Sequence, residues 1–433
     1  MTASAEPFFS KDGNDYSLYT LNNGKITARI TDYGGRVVQI LVPDRDGKPT
    51  NVVFSYKDPA DYATDDKYLG ASVGRCANRI RDARFTLNGT EYPLAANDGR
   101  NQNHSGPESF QVRKWTQVDE DRISQSSESG QKNGQPDHQL HDQNHDQHYD
   151  QNQDQNVLTL ALTSPDGDNG FPGKLDVQVR FELEHSGLKI TFTAVSDKDT
   201  ICNMTNHCYF NLSGDFSTSV EDEYMQIHSD TLTPMDSVSI PTGEFRDVTG
   251  TPMDFRQPAR IGDHIGDDYD QLIYGKGYDH NWVVSMDHHD PVEAARAWSD
   301  TSGIEMRVIS TAPGIQLYTG NYLGCGSTAS DGSTFTDRCA FALEAQYFPN
   351  AVNIPEFTTP LLKAGDTYNE SIEYRFGIVE QQLSEKNQRR RVSFRKRTRK
   401  SSSYIENTAG NRRNNAGTAV FLLKLINKLN FVG

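Results

Sequence analysis

Five short stretches place an imidazole or a charged side chain beside apolar or aromatic residues: Ala77-Asn78-Arg79-Ile80, Asn103-His104-Ser105-Gly106, Thr205-Asn206-His207-Cys208-Tyr209-Phe210-Asn211, Tyr278-Asp279-His280-Asn281-Trp282 and Leu343-Glu344-Ala345-Gln346-Tyr347. Such a set suits a polyhydroxylated ligand, because hydroxyls need paired donors and acceptors while ring C–H faces need an aromatic wall. Taken alone, His104 or His207 is more readily explained as a hydrogen-bonded structural histidine. Glu344 is harder to explain that way. With Phe341, Leu343 and Phe348 around it, its carboxylate must be paired or functional, since burying it alone costs several kcal/mol.

Other chemistries lack their usual signatures. A GxGxxG turn opening a helix and a GxxxxGK[ST] loop are both missing, which weighs against nucleotide cofactors and kinases. There is no GxSxG elbow, and His280, His288 and His289 have no H-E-x-x-H pattern. Cys76, Cys202, Cys208, Cys325 and Cys339 are odd in number and form no C-x-x-C pair, so neither a disulfide scaffold nor a zinc site is expected.

The net charge of −16 conceals an asymmetry. From residue 385 onward there are 13 Lys or Arg against 2 Asp or Glu, a balance of +11, which leaves −27 for the remainder. An acidic body repels nucleic acid and anionic membrane, so a neutral or cationic small molecule is the expected partner. The first residues show no basic segment followed by an apolar stretch, and no run reaches the length of a membrane helix. The expectation is a reduced, cytoplasmic protein, with monomer and homodimer both left open.

The candidate residues need a scaffold, and period-2 alternation supplies one. Leu175, Val177, Val179, Phe181 and Leu183 alternate with polar residues, and Leu188, Ile190, Phe192 and Ala194 repeat the device after His185-Ser186-Gly187, which predicts a hairpin. Residues 157–163 (VLTLALT) alternate likewise, and Asn88-Gly89 between two short apolar runs predicts a tight hairpin turn. Amphipathic helices are few. The chain reads as all-β, one large antiparallel β-sandwich over residues 8–380.

Two segments depart from this pattern. Residues 128–156 are dominated by Gln, Asn, Asp and His, the composition of a disordered polar insert. Within it His138, His141, His145 and His148 have spacings that would share one helix face, a metal-binding arrangement only if a helix formed. Residues 385–433 combine RRRVSFRKRTRK with a Ser/Asn-rich stretch and a short apolar end, and read as a basic, disordered extension.

Nine motifs in order, GRCANRI (74–80), NDGRNQNHSG (97–106), SPDGDNGFPGKL (164–175), TNHCYFNLSG (205–214), TPMDF (251–255), GYDHNW (277–282), PGIQLYTGNYL (313–323), LEAQYFPNAVNIPEF (343–357) and KAGDTYNESIEYRF (363–376), give the chain its strongest clue. Over residues 10–380 it resembles the aldose 1-epimerase family. The resemblance implies the galactose mutarotase-like supersandwich fold and interconversion of the α and β anomers of free hexoses such as glucose and galactose. It also implies Glu344 as the base on the C1 hydroxyl and His207 as the acid at the ring oxygen. Asn78, Arg79, His104, Asp279 and Gln316 would bind the sugar, with no metal or other cofactor. Where the family has Leu-His-Gly-Gly, this chain has Asn103-His104-Ser105-Gly106, which predicts a looser loop around His104. Two alternatives on the same fold are a sugar-phosphate 1-epimerase, for which Arg75 and Arg79 are candidate cations, and a non-catalytic sugar-binding module.

Overall fold

The computed structural model describes residues 4–118, 156–286 and 290–379. The chain divides into two units, residues 1–379 and 380–433. Nearly all of the polar insert, its four histidines and the basic extension fall outside the described residues.

The alternating segments form the strands they predict. Leu175–Glu184 pairs antiparallel with Gly187–Ser196 around the turn His185-Ser186, and Val157–Ser164 adds on its other side. The apolar residues of the hairpin, from Leu175 to Leu183 and from Leu188 to Ala194, are all buried. Asn88 and Gly89 both take positive φ between Arg84–Leu87 and Thr90–Pro93, as a tight two-residue turn requires.

These strands belong to a nine-stranded antiparallel sheet. Its centre continues through Thr367–Ile378, Ile304–Ser310 and Val292–Trp298. A six-stranded antiparallel sheet contains Tyr209–Phe210, Phe341–Gln346, Gly314–Tyr318, Asp279–Val283, Thr231–Thr233 and Arg246–Asp247, in that order. Val179, Phe181, Ile190, Met306 and Ile372 of the first sheet share one apolar core with Trp282, Ile315, Leu317, Phe341 and Leu343 of the second. The result is a sandwich. A separate five-stranded sheet begins at Ser4, ahead of residue 8, and runs to Asn51. Asp270–Gly275 is the one α-helix among the described residues, and none of their helices is long and apolar enough to cross a membrane.

Period 2 has a second consequence in the six-stranded sheet. With Phe341, Leu343 and Ala345 in the core, Ala342, Glu344 and Gln346 must point to the opposite face. Strand register then sets Gln316 beside Glu344, Asn281 beside Gln316, and Tyr318 beside Asp279. Polar residues are thereby collected on one buried surface.

One buried carboxylate lies away from that surface. Glu223 is 3% exposed, accepts a hydrogen bond from the Ser213 amide, and has its Oε2 without a hydrogen-bond partner among the described residues. Burial pushes its pKa from 4.5 up to about 8, although the Ser213 and Leu212 amides oppose the shift. Between these values the unfolded chain has released the proton and the folded chain has not, so this group makes stability fall as pH rises, by at most about 1.4 kcal/mol per unit. Glu223→Gln should remove that slope. Denaturant titrations at pH 5 and pH 8 should show the variant gaining on the wild type at the higher pH, and parallel behaviour at both would contradict this.

Candidate active site

Glu344 and His207 meet although they are far apart in sequence. His207 ends the strand Thr205–His207, which pairs with Ala71–Val73. Its Nε2 lies 3.6 Å from Glu344 Oε1, and both side chains are buried. Burial lowers the His207 pKa to about 4. Burial and the nearby Asp279 raise the Glu344 pKa well above its ordinary range, with Arg79 pulling it back. Low solvation therefore favours the neutral pair, one proton on the carboxyl and none on the second imidazole nitrogen.

Asn78 and His104 are bound to each other. The His104 amide donates to the Asn78 carbonyl at 3.1 Å, and the Asn78 amide donates to His104 Nδ1 at 3.1 Å. Because Nδ1 accepts, the neutral ring carries its proton on Nε2. Burial, with His207 and Arg79, holds the ring neutral.

Both residues take positive φ, as does Ser105. A serine in the left-handed region is strained, yet its hydroxyl accepts from the Cys76 amide at 2.6 Å and donates to the Cys76 carbonyl at 3.0 Å. The loop expected to be loose is instead pinned, because a side chain supplies the tether that a glycine lacks.

Arg79 donates Nε–H to Asp98 at 2.8 Å, and its Nη1 is 3.9 Å from Asp279. Burial works against the guanidinium charge, but Asp279, Asp98 and Glu344 outweigh it. Gln316 donates Nε2–H to Asp279 at 2.7 Å. Strand register sets it opposite Glu344.

The cavity itself measures about 190 Å³ and is lined by Asn78, Arg79, His104, His207, Asp279 and Glu344. This is below the roughly 300–1,000 Å³ of drug-sized pockets and suits one monosaccharide. Sequence reasoning did not single out its tyrosines. Tyr209 and Tyr318 face each other at 6.0 Å, Tyr68 stands 4.6 Å from His104, and Tyr322 lies on the rim. Tyr318 follows Gln316 by two residues on one strand, a signal that period-2 reading could have caught, whereas Tyr209 follows His207 across the break between Thr205–His207 and Tyr209–Phe210. Tyr68 has no such signal. It takes positive φ on a loop fixed by the fully buried Arg36–Asp65 ion pair, where Asp65 also accepts from the amides of Lys67 and Leu69.

A larger cavity of about 580 Å³ lies beside the strand Thr367–Ile378. Its buried carboxylate, Glu370, already accepts hydrogen bonds from Thr311 and Tyr347. The smaller cavity instead brings a buried carboxyl and a buried imidazole together, Glu344 with His207.

Donor atoms of His104, His207 and Glu344 lie within 4.8 Å of one another, close enough to consider a metal ion. The neutral His104 ring has one nitrogen lone pair, and the Asn78 amide occupies it. The trio fits proton transfer and hydrogen bonding better than metal ligation.

The aldose 1-epimerase family profile matches residues 17–131 and 129–375. The chain belongs to the aldose 1-epimerase family. Among its relatives, the galactose mutarotase of Sus scrofa is 33% identical over 361 residues, covering 83% of this chain and 94% of that one. The aldose 1-epimerase of Escherichia coli K12 is 33% identical over 374 residues, covering 86% and 98%. In three dimensions, this aldose 1-epimerase family member resembles the aldose epimerase homologue of C. elegans, with a TM-score of 0.70, 25% identity and coverage of 84% and 100%. The galactose 1-epimerase of Lactobacillus acidophilus gives 0.69 and 26%, with coverage of 88% and 99%. The sandwich is therefore the galactose mutarotase-like fold expected from the motifs.

Proposed function

We propose that this protein interconverts the α and β anomers of a free hexose by acid/base ring opening and reclosure. The observation that carries the reading is the buried His207–Glu344 pair at 3.6 Å. The reaction needs proton transfer at two oxygens bonded to the same carbon, and two groups this close can serve both.

In the opening step the Glu344 carboxylate takes the proton from the C1 hydroxyl while protonated His207 gives one to the ring oxygen. The C1–O5 bond breaks and C1 becomes an aldehyde. Rotation about C1–C2 presents the other carbonyl face. On closure the carboxyl of Glu344 returns its proton to O1, and His207 takes the proton from the C5 hydroxyl. After opening, the pair is in the neutral state that burial favours.

His104, with its Nε2–H, and the terminal N–H groups of Arg79 would donate to ring and hydroxyl oxygens. Asp279 would accept from sugar hydroxyls, while Gln316 holds Asp279 and Asn78 holds His104. No step calls for a metal or another cofactor. The tyrosines provide the wall for the C–H faces.

The sugar-phosphate alternative needs a cation for the phosphate. Arg75 is fully engaged with Ser164, Pro165 and Pro172, Arg79 is held by Asp98, and Lys67 pairs with Asp66. Polarimetry should therefore show acceleration with α-D-galactose or α-D-glucose and little with glucose 6-phosphate. The reverse preference would replace this reading.

Residues 8–380 are proposed as the catalytic unit, with the insert and the basic extension outside the chemistry. The five cysteines are unpaired and four are buried, which fits a reducing compartment and a cytoplasmic location.

A further inference from the structure

Arg79 is the one arginine on the wall of the candidate cavity among the described residues, and what aims it is a carboxylate outside the proposed catalytic set. Asp98 accepts the Nε–H of Arg79 at 2.8 Å, whereas Asp279 lies 3.9 Å from Nη1, too far for a hydrogen bond. A guanidinium is planar and rigid, so fixing Nε fixes the directions of the other N–H groups.

The carboxylate is itself held by a closed loop. Asp98 and Asn101 exchange backbone hydrogen bonds at 3.1 and 2.9 Å. The Asn97 side chain accepts from the Asn103 amide at 2.7 Å and donates to the Asn103 carbonyl at 2.9 Å. Asn103 pairs with Arg79 in a short ladder, and His104 follows directly. One loop thus presents both His104 and the group that orients Arg79.

We propose that Asp98 is a positioning residue for the reaction: by accepting the Nε–H of Arg79 it turns the terminal N–H groups toward the cavity between Asp279 and Glu344. The inference rests on the mutarotase reading.

The test is a double-mutant cycle with mutarotation rates and calorimetric galactose binding measured on the full chain. Asp98→Ala should lower kcat/KM about 10- to 100-fold through misplacement of Arg79. Asp98→Asn, which keeps an acceptor oxygen, should recover most of the loss and also serves if the alanine variant folds poorly. In an Arg79→Met background, Asp98→Ala should add no further loss.

An equal loss in the Arg79→Met background would overturn the proposal. So would an unchanged kcat/KM in Asp98→Ala. A wild type that binds galactose without accelerating mutarotation would refute the function instead, and the same cycle would then be read through binding.

Discussion

Glu344→Gln should lose roughly a thousand-fold in kcat while still binding hexose, since each acid or base in such a pair contributes about 10² to 10⁴-fold. The amide keeps the size of the carboxyl and can still hydrogen-bond, but it cannot take the C1 hydroxyl proton. In the strand Phe341–Gln346 a neutral amide at this position is less costly to bury than a carboxylate, so the variant should fold at least as stably as the wild type. A large loss in kcat with little change in KM separates lost chemistry from lost binding. Comparable activity would remove Glu344 from the base role.

His207→Asn should cost a similar factor, and its pH dependence should differ in form. In the wild type the working state holds one proton on the pair. Acidification adds a second proton, and the low His207 pKa of about 4 places that loss far into the acid range. At high pH the pair loses its last proton as Glu344, with its raised pKa, ionises. The expected kcat/KM profile is a bell whose apparent pKa values belong to the pair. Without His207 the residual activity needs only ionised Glu344, so it should rise with pH through the elevated Glu344 pKa and show no loss on the alkaline side from this pair. A bell retained in His207→Asn would contradict the assignment.

Legibility in the sequence followed the range of the interaction involved. The hairpin of Leu175–Glu184 and Gly187–Ser196 was readable because alternation is a local consequence of burying one face. Glu344 was readable for the opposite reason, a charge in a strand whose neighbours are all core residues.

Other features depend on contacts between distant segments. Gln316 meets Asp279 only because Gly314–Tyr318 pairs with Asp279–Val283. Tyr68 reaches the imidazoles because Arg36 and Asp65 tie down its loop. Ser105 looked like the loss of a glycine, and only the folded chain shows its hydroxyl bridging the Cys76 backbone. The motifs carried the family, and three-dimensional register brought the candidate residues together.

Opening and reclosing of a pyranose ring by the His207–Glu344 pair is the proposed chemistry. It is tested most directly by dissolving α-D-galactose in weakly buffered solution and following optical rotation with wild type and with Glu344→Gln. The wild type should reach the equilibrium rotation far faster than buffer alone, and the variant should track the buffer. Folded wild-type protein that leaves the rate at the buffer value, or a variant as fast as the wild type, would contradict it.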